Sequence, residues 1–326
     1  MIKWGIMATG TIAEKFAKTL NDMNDNENIL TAVASRNTDK AKNFAEKYNA
    51  SEYYGSYEEM CLSDNVDAVY VCTPNNMHYE NCMLALSKGK HVLCEKPFTT
   101  SAQEAEKLYR SAESKGLFIM EGLWIYHLPL LKKTVDIVKS GAIGEVVSIR
   151  ADYGFTANGA RHERKFVSEL GGGALLDVGV YNLGFANMIY GSSPADIQTK
   201  RILNEYGTDM YGIVLAEYSG NRFATLTSSI GVKMETEGVI YGTLGRIYFP
   251  NYQKAEKMCI IYNDGREEKY EMPFEYGGFE YQIRESQKCI EEGKTESKFY
   301  THKQSIEIMR TLETVRNKWG MKFSFE

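Results

Sequence analysis

Two hydrophobic rhythms divide the chain. In its first third, short, mostly apolar runs at Ile2–Met7, 30–34, 68–72, 91–94 and 117–120 alternate with stretches of helical period. Runs of four to six apolar residues without polar alternation read as strands buried on both faces, the habit of parallel sheets. The intervening helices carry their own punctuation. One follows Gly10, one spans 39–48, one runs 78–88 and stops at Gly89, and one opens on the N-cap residue Ser101 and ends at Gly116. Strand and helix in alternation over this length predict a doubly wound parallel sheet of Rossmann type.

Beyond Glu121 the rhythm changes. A helical segment is expected over 124–141, with Pro129 near its start. Period-2 alternation then dominates 146–155, 197–202, 212–218, 222–230, 234–243, 246–249 and 258–262. Such alternation predicts an open, mostly antiparallel sheet with one face covered. A helix over 174–190, closed by Gly191, interrupts it, and helices near 279–292 and 301–319 end the chain. The expected fold class is therefore α/β: a Rossmann domain over residues 1–121 and an α+β domain over 122–326.

Candidate chemistry collects where the early strands end, because ligands of open α/β sheets bind at the carboxyl ends of the strands. The first strand enters Ala8-Thr9-Gly10-Thr11-Ile12-Ala13 and then a helix, a geometry that aims backbone N–H groups at a phosphate. The glycine fingerprint is incomplete, since Ala8 takes its first place. The second strand ends at Ser35-Arg36, where a site for NAD would carry an acid. Arg36 suits a 2′-phosphate better; the plainer reading is a surface arginine. Thr73-Pro74-Asn75 breaks regularity above the next strand. His78 follows, able to touch a ligand but equally suited to capping or packing. The run 91–94 delivers Glu95-Lys96-Pro97, either a functional lysine or a solvated pair closing a strand. Later, Gly171-Gly172-Gly173 opens the helix on which Asp177 and Tyr181, four apart, share a face.

Composition removes several function classes. A net charge of −5 over 326 residues, without a basic run, argues against a nucleic-acid surface. No apolar segment approaches the ~20 residues of a membrane span. Six cysteines lack CxxC spacing and five histidines lack HxxxH or HExxH spacing, so reduced thiols, no metal site and a cytoplasmic location are expected. With a strand expected from Ile2, no signal peptide is expected.

The Gly10 turn, Thr73-Pro74-Asn75, Glu95-Lys96-Pro97 and the run from Gly172 to Tyr181 together resemble the Gfo/Idh/MocA oxidoreductase family over essentially the whole chain. Tyr181, with the Trp4-Gly5-Ile6 opening and Glu121-Gly122-Leu123-Trp124, is similar to the branch of dimeric dihydrodiol dehydrogenases and NADP-dependent D-xylose dehydrogenases. Tyr126 departs from it, standing where that branch carries an arginine, and His127 follows.

The resemblance implies that Ala8, Thr9, Gly10, Thr11 and Ile12 cradle a pyrophosphate and that Ser35 and Arg36 hold a 2′-phosphate. Thr73, Pro74, Asn75 and His78 would line the cofactor cleft, with Glu95, Lys96 and Pro97 beside the nicotinamide. Lys96, Trp124, Asp177 and Tyr181 would meet the substrate, Tyr181 as acid/base and Asp177 as its neighbour. NADP(H) is the expected cofactor, with NAD(H) second. The expected substrate is a sugar, polyol or dihydrodiol, and the expected assembly a homodimer or higher homo-oligomer through the C-terminal sheet. The resemblance also admits a non-catalytic NADP-sensing regulator and a glycosidase that cycles NAD. Free tyrosine has a pKa of ~10, and a lysine within reach lowers it.

Overall fold

A computed structural model describes residues 1–157 and 165–323. The chain forms two compact units, Met1–Trp124 with Glu275–Ser305, and Ile125–Phe274 with Ile306–Glu326.

The first unit is built on six strands: β1 (Ile2–Met7), β2 (Asn28–Ala34), β3 (Glu52–Tyr54), β4 (Ala68–Val71), β5 (His91–Glu95) and β6 (Ile119–Gly122). All are parallel, in the order β3-β2-β1-β4-β5-β6. Between them run α1 (Thr11–Met23), α2 (Thr38–Tyr48), α3 (Tyr57–Leu62), α4 (His78–Ser87) and α5 (Ala102–Lys115). The apolar runs are the central strands: every residue of β4 is buried. Trp4 and Phe16 meet edge to face at 5.3 Å, and Phe16 stacks on Tyr70 at 3.9 Å, tying α1 to the sheet. Ser101 caps α5 by accepting the Glu104 N–H, and Gly116 closes it in the left-handed region.

The second unit carries eight strands: β7 (Val146–Gly154), β8 (Asp196–Leu203), β9 (Asp209–Tyr218), β10 (Arg222–Ser229), β11 (Gly238–Gly242), β12 (Gly245–Phe249), β13 (Lys257–Tyr262) and β14 (Glu267–Glu271). Their order is β14-β13-β12-β11-β7-β10-β9-β8, antiparallel except for the pair β10 and β7. Helices α6 (Pro129–Lys139) and α7 (Val180–Tyr190) belong to this unit. The alternation survives in β9, where Val214, Ala216 and Tyr218 are buried while Ile213 and Leu215 are 40% and 39% exposed. α8 (Glu280–Glu291) and α9 (His302–Trp319) follow.

The fold class is as the sequence predicts, with local differences. β3, α3 and β14 had no apolar signature: β3 is three residues long, and β14 is Glu-Glu-Lys-Tyr-Glu at a sheet edge. The helix expected from residue 124 begins at Pro129, whose missing N–H suits a first helical position, after a 3₁₀ turn at Trp124–His127. The helix expected over 174–190 opens with one π-type turn, Leu175–Gly179. Residues 275–305, expected in the second domain, cluster with the first. There Gln287 of α8 accepts a hydrogen bond from Asn28 at 2.6 Å, and Asn28 accepts one from the Trp4 indole at 3.1 Å.

Candidate active site

In a parallel sheet all carboxyl ends share one edge, so the segments after β1, β2, β4 and β5 lie side by side. The strand order reverses direction between β1 and β4, the crevice where nucleotides bind in this topology. Ala8 leaves β1 with φ of 92°, a conformation natural to glycine and costly for alanine, by about 1–3 kcal/mol. The first fingerprint glycine is thus lost in sequence while its backbone geometry is retained. Gly10 sits at the N-cap of α1 in an extended conformation and has no side chain to cap it. A Cβ on Gly10 would meet nothing within 4 Å, so its bareness serves neither packing nor backbone strain. It leaves the approach to the α1 N-terminus clear, as a phosphate requires. Arg36 is exposed, with no carboxylate partner among the described residues, and Tyr57 lies within reach of its charge. These features fit a dinucleotide carrying a 2′-phosphate.

Thr73 and His78 are both held by hydrogen bonds within the protein. Thr73 is buried and its hydroxyl accepts from Asn81 at 3.0 Å. His78 is 1% exposed, and both ring nitrogens face backbone carbonyls at 2.9 Å, of Pro97 and of Thr73. The ring therefore clamps the loop after β4 to the loop after β5, the packing role that the sequence also allowed. Pro74 and Asn75, in the loop after β4, are half-buried.

Glu95 ends β5 as a buried residue, which disposes of a solvated Glu-Lys pair. Its carboxylate accepts from the Tyr70 hydroxyl at 2.5 Å and from the Lys96 N–H at 3.3 Å. Burial raises the Glu95 carboxyl above the usual range, while Tyr70 and Lys96 pull it back. The sheet thus grips the backbone of Lys96, and its side chain is half-buried before the buried Pro97. Glu121 braces the following segment: it accepts from Phe98 N–H at 3.0 Å, Tyr300 at 2.5 Å and Ser305 at 2.6 Å. Lys15, which the sequence reading missed, lies 4.2 Å from the Trp124 ring and 4.1 Å from that of Phe279. Trp124 is 2% exposed and meets Phe279 edge to face at 5.4 Å. Within the first unit it forms, with Phe279, an aromatic cage for Lys15.

The second unit holds the other pair. Its π-type turn keeps Asp177 and Tyr181 on one side: Tyr153 has its ring 5.8 Å from that of Tyr181 and feels the Asp177 charge. Burial, reinforced by that charge, pushes the Tyr153 hydroxyl up to about 12. Asp177 is paired with Lys165, another residue the sequence reading passed over. The start of the helix is fixed by Asp209, which is 0% exposed and accepts the Leu175 N–H at 2.7 Å. Gly173, at φ of 123°, must be bare, because a Cβ there would lie 2.2 Å from the Asp209 carboxylate. Tyr126 donates to Asn187 at 2.9 Å and Asn187 to Glu307 at 3.2 Å, so this departure from the branch is absorbed into a buried network. His127 is 1% exposed, and burial aided by Lys132 brings it down to about 3, so it stays neutral.

Asp209 makes stability depend on pH. Burial raises its folded pKa to about 6 from 3.8, outweighing the hydrogen bonds from Leu175, Asp209 and Ala174. The folded state then retains a proton that the unfolded state releases, so stability falls as pH rises through this window and levels off above it. Asp209→Asn keeps an acceptor for Leu175 and removes the charge. It is expected to exceed the wild type by on the order of 1–3 kcal/mol at pH 7. The advantage should fade toward about pH 4. Melting temperatures of both proteins across that range check it; a constant difference would mean that Asp209 does not titrate there.

Comparison with known proteins agrees with this geometry. Residues 2–123 match the model described as an oxidoreductase family with an NAD-binding Rossmann fold, and residues 131–248 match the GFO/IDH/MocA C-terminal domain. The chain is 32% identical over 330 residues to trans-1,2-dihydrobenzene-1,2-diol dehydrogenase of Xenopus laevis, covering 98% of this chain and 99% of that one. It is 33% identical over 365 residues to D-xylose 1-dehydrogenase (NADP(+)) of Hypocrea jecorina, covering 99% and 93%. Among solved structures, KijD10, a 3-ketoreductase from Actinomadura kijaniata in complex with NADP and TDP-benzene, superposes with a TM-score of 0.86 at 28% identity, covering 97% of each chain. No described helix is long and apolar enough to cross a membrane. With a dinucleotide edge in one unit, an acid–tyrosine helix in the other and relatives matched end to end, the chain belongs to the Gfo/Idh/MocA family of oxidoreductases.

Proposed function

We propose that this protein is an NADP(H)-dependent dehydrogenase or reductase acting on a CH–OH or carbonyl group of a sugar, polyol or cyclic dihydrodiol. The observation that carries this reading is the bare N-terminus of α1 at Gly10, with Arg36, exposed and without a carboxylate partner among the described residues, at the end of the neighbouring strand. Gly10, Thr11 and Ile12 bind the pyrophosphate, with Ala8 and Thr9 shaping the turn. Ser35 and Arg36 take the 2′-phosphate, and Thr73, Pro74 and Asn75 form the wall below. Bound NADP(H) supplies or accepts the hydride. Lys96 orients the reacting oxygen and eases its loss of a proton, and Tyr181 takes or returns that proton, with Asp177 beside it. Relatives that act on a dihydrodiol, on D-xylose and as a 3-ketoreductase support this substrate class.

Arg36→Ala should weaken NADP⁺ binding by about 10–100-fold, as expected for charged hydrogen bonds, and NAD⁺ far less. Equal losses in fluorescence titrations with the two cofactors would refute the 2′-phosphate role. A screen of sugars, polyols and small carbonyl compounds with NADP(H), followed by absorbance of the reduced nicotinamide, tests the whole reading. Turnover of none of them by protein that binds NADP⁺ would sink it.

The open face of the eight-stranded sheet supports a homodimer or larger homo-oligomer. Ile213, Leu215 and Phe223 are each about two-fifths exposed there on β9 and β10. Six cysteines, none of them in a disulfide among the described residues, suit a cytoplasmic setting.

A further inference from the structure

Lys165 is held at the helix start by its backbone. Its carbonyl accepts the Gly173 N–H at 2.8 Å and lies 2.6 Å from where a Gly172 Cβ would be, so only a glycine permits the approach. This fixes the side chain against Asp177, with the two side chains 16% and 17% exposed. The ammonium also lies 4.6 Å from the Phe155 ring. Around the pair, Tyr153, Phe155 and Phe166 pack on a small apolar cluster of Ala157, Ala174, Val178 and Ile230.

An ion pair set into an aromatic wall is poor value as a structural device. Replacing such pairs with apolar residues is often neutral or stabilising, because two charges must be desolvated. Its chemistry suits a hydroxyl. An alcohol both donates and accepts, a carboxylate only accepts and an ammonium only donates, so the pair satisfies both halves of one hydroxyl. The aromatic wall lowers competition from water, and it offers a flat apolar face to a ring.

We propose that Lys165 is a specificity-determining residue: with Asp177 it binds the substrate hydroxyl vicinal to the reacting carbinol, so that the enzyme selects vicinal diols over mono-alcohols. This rests on reading Tyr181, one turn beyond Asp177, as the acid/base. Sites built to hydrogen-bond a substrate hydroxyl discriminate strongly against analogues that lack it.

The test compares trans-1,2-cyclohexanediol with cyclohexanol as substrates of the full chain at saturating NADP⁺. Wild-type kcat/KM is expected to favour the diol by about 10²-fold or more. In Lys165→Met that ratio should collapse to within about tenfold of unity, mainly through the KM for the diol, and Lys165→Arg should restore part of it. A Lys165→Met enzyme that loses activity on both probes in equal proportion overturns the proposal in favour of a structural lysine. So does a diol preference that survives the substitution. Wild-type protein that turns over neither probe, or both equally, also overturns it. NADP⁺ titration of that same protein shows whether the cofactor reading still stands.

Discussion

Lys96→Met should cut kcat by about 10²-fold or more at saturating cofactor, with the folded protein almost undisturbed. Methionine keeps the unbranched stem and removes only the ammonium. The backbone N–H that Lys96 donates to Glu95 is untouched, and Glu95 stays anchored by the Tyr70 hydroxyl. The buried scaffold of β5 therefore survives, and the change in stability should stay within about 1 kcal/mol. The expected loss follows from charge. A cation about 4 Å from a developing oxyanion, at an effective dielectric near 20, contributes roughly 4 kcal/mol. Water recovers part of that when the ammonium is gone, leaving at least the stated effect. Stopped-flow rates at saturating NADP⁺, with a melting curve on the same sample, separate chemistry from folding. A variant with near-normal kcat would make Lys96 a mere strand terminus.

The parallel sheet was legible because its strands are buried on both faces, and unbroken apolar runs such as 68–72 permit little else. The candidate edge was legible for a topological reason: once strands are parallel, the residues following them must neighbour one another. What the sequence hid lies where side-chain identity is decoupled from burial. Nothing in β14, Glu-Glu-Lys-Tyr-Glu, separates an edge strand from a loop. The amphipathic α8 shows that it has a buried face but not which sheet receives it, and it joined the first unit. His78 and Trp124 matched motif positions, but their surroundings, two loop carbonyls around one and a lysine against the other, carried no signal in the sequence. Lys165 carried no periodic signal at all. Its tie to Asp177 depends on Gly172 admitting its backbone, a consequence of three-dimensional fit.

The sharpest expected result concerns Tyr181. The residue is 8% exposed on α7, its ring 5.8 Å from that of Tyr153. Phenylalanine fills the same space, so packing is kept and only the hydroxyl is lost. If the hydroxyl were structural, its removal would cost about 0.5–1.5 kcal/mol of stability and leave turnover per folded molecule intact. If Tyr181 carries the proton, the pattern reverses. Tyr181→Phe should lower kcat by at least ~10²-fold, leave NADP⁺ affinity nearly unchanged and barely shift the melting temperature. Asp177 and Lys165 would still bind substrate, so KM should change much less than kcat, as for a group that acts in the transition state. A residual rate is expected, because water can carry the proton poorly in place of the phenol. Near-normal kcat in the phenylalanine variant would remove Tyr181 from the mechanism and return the acid/base role to another group.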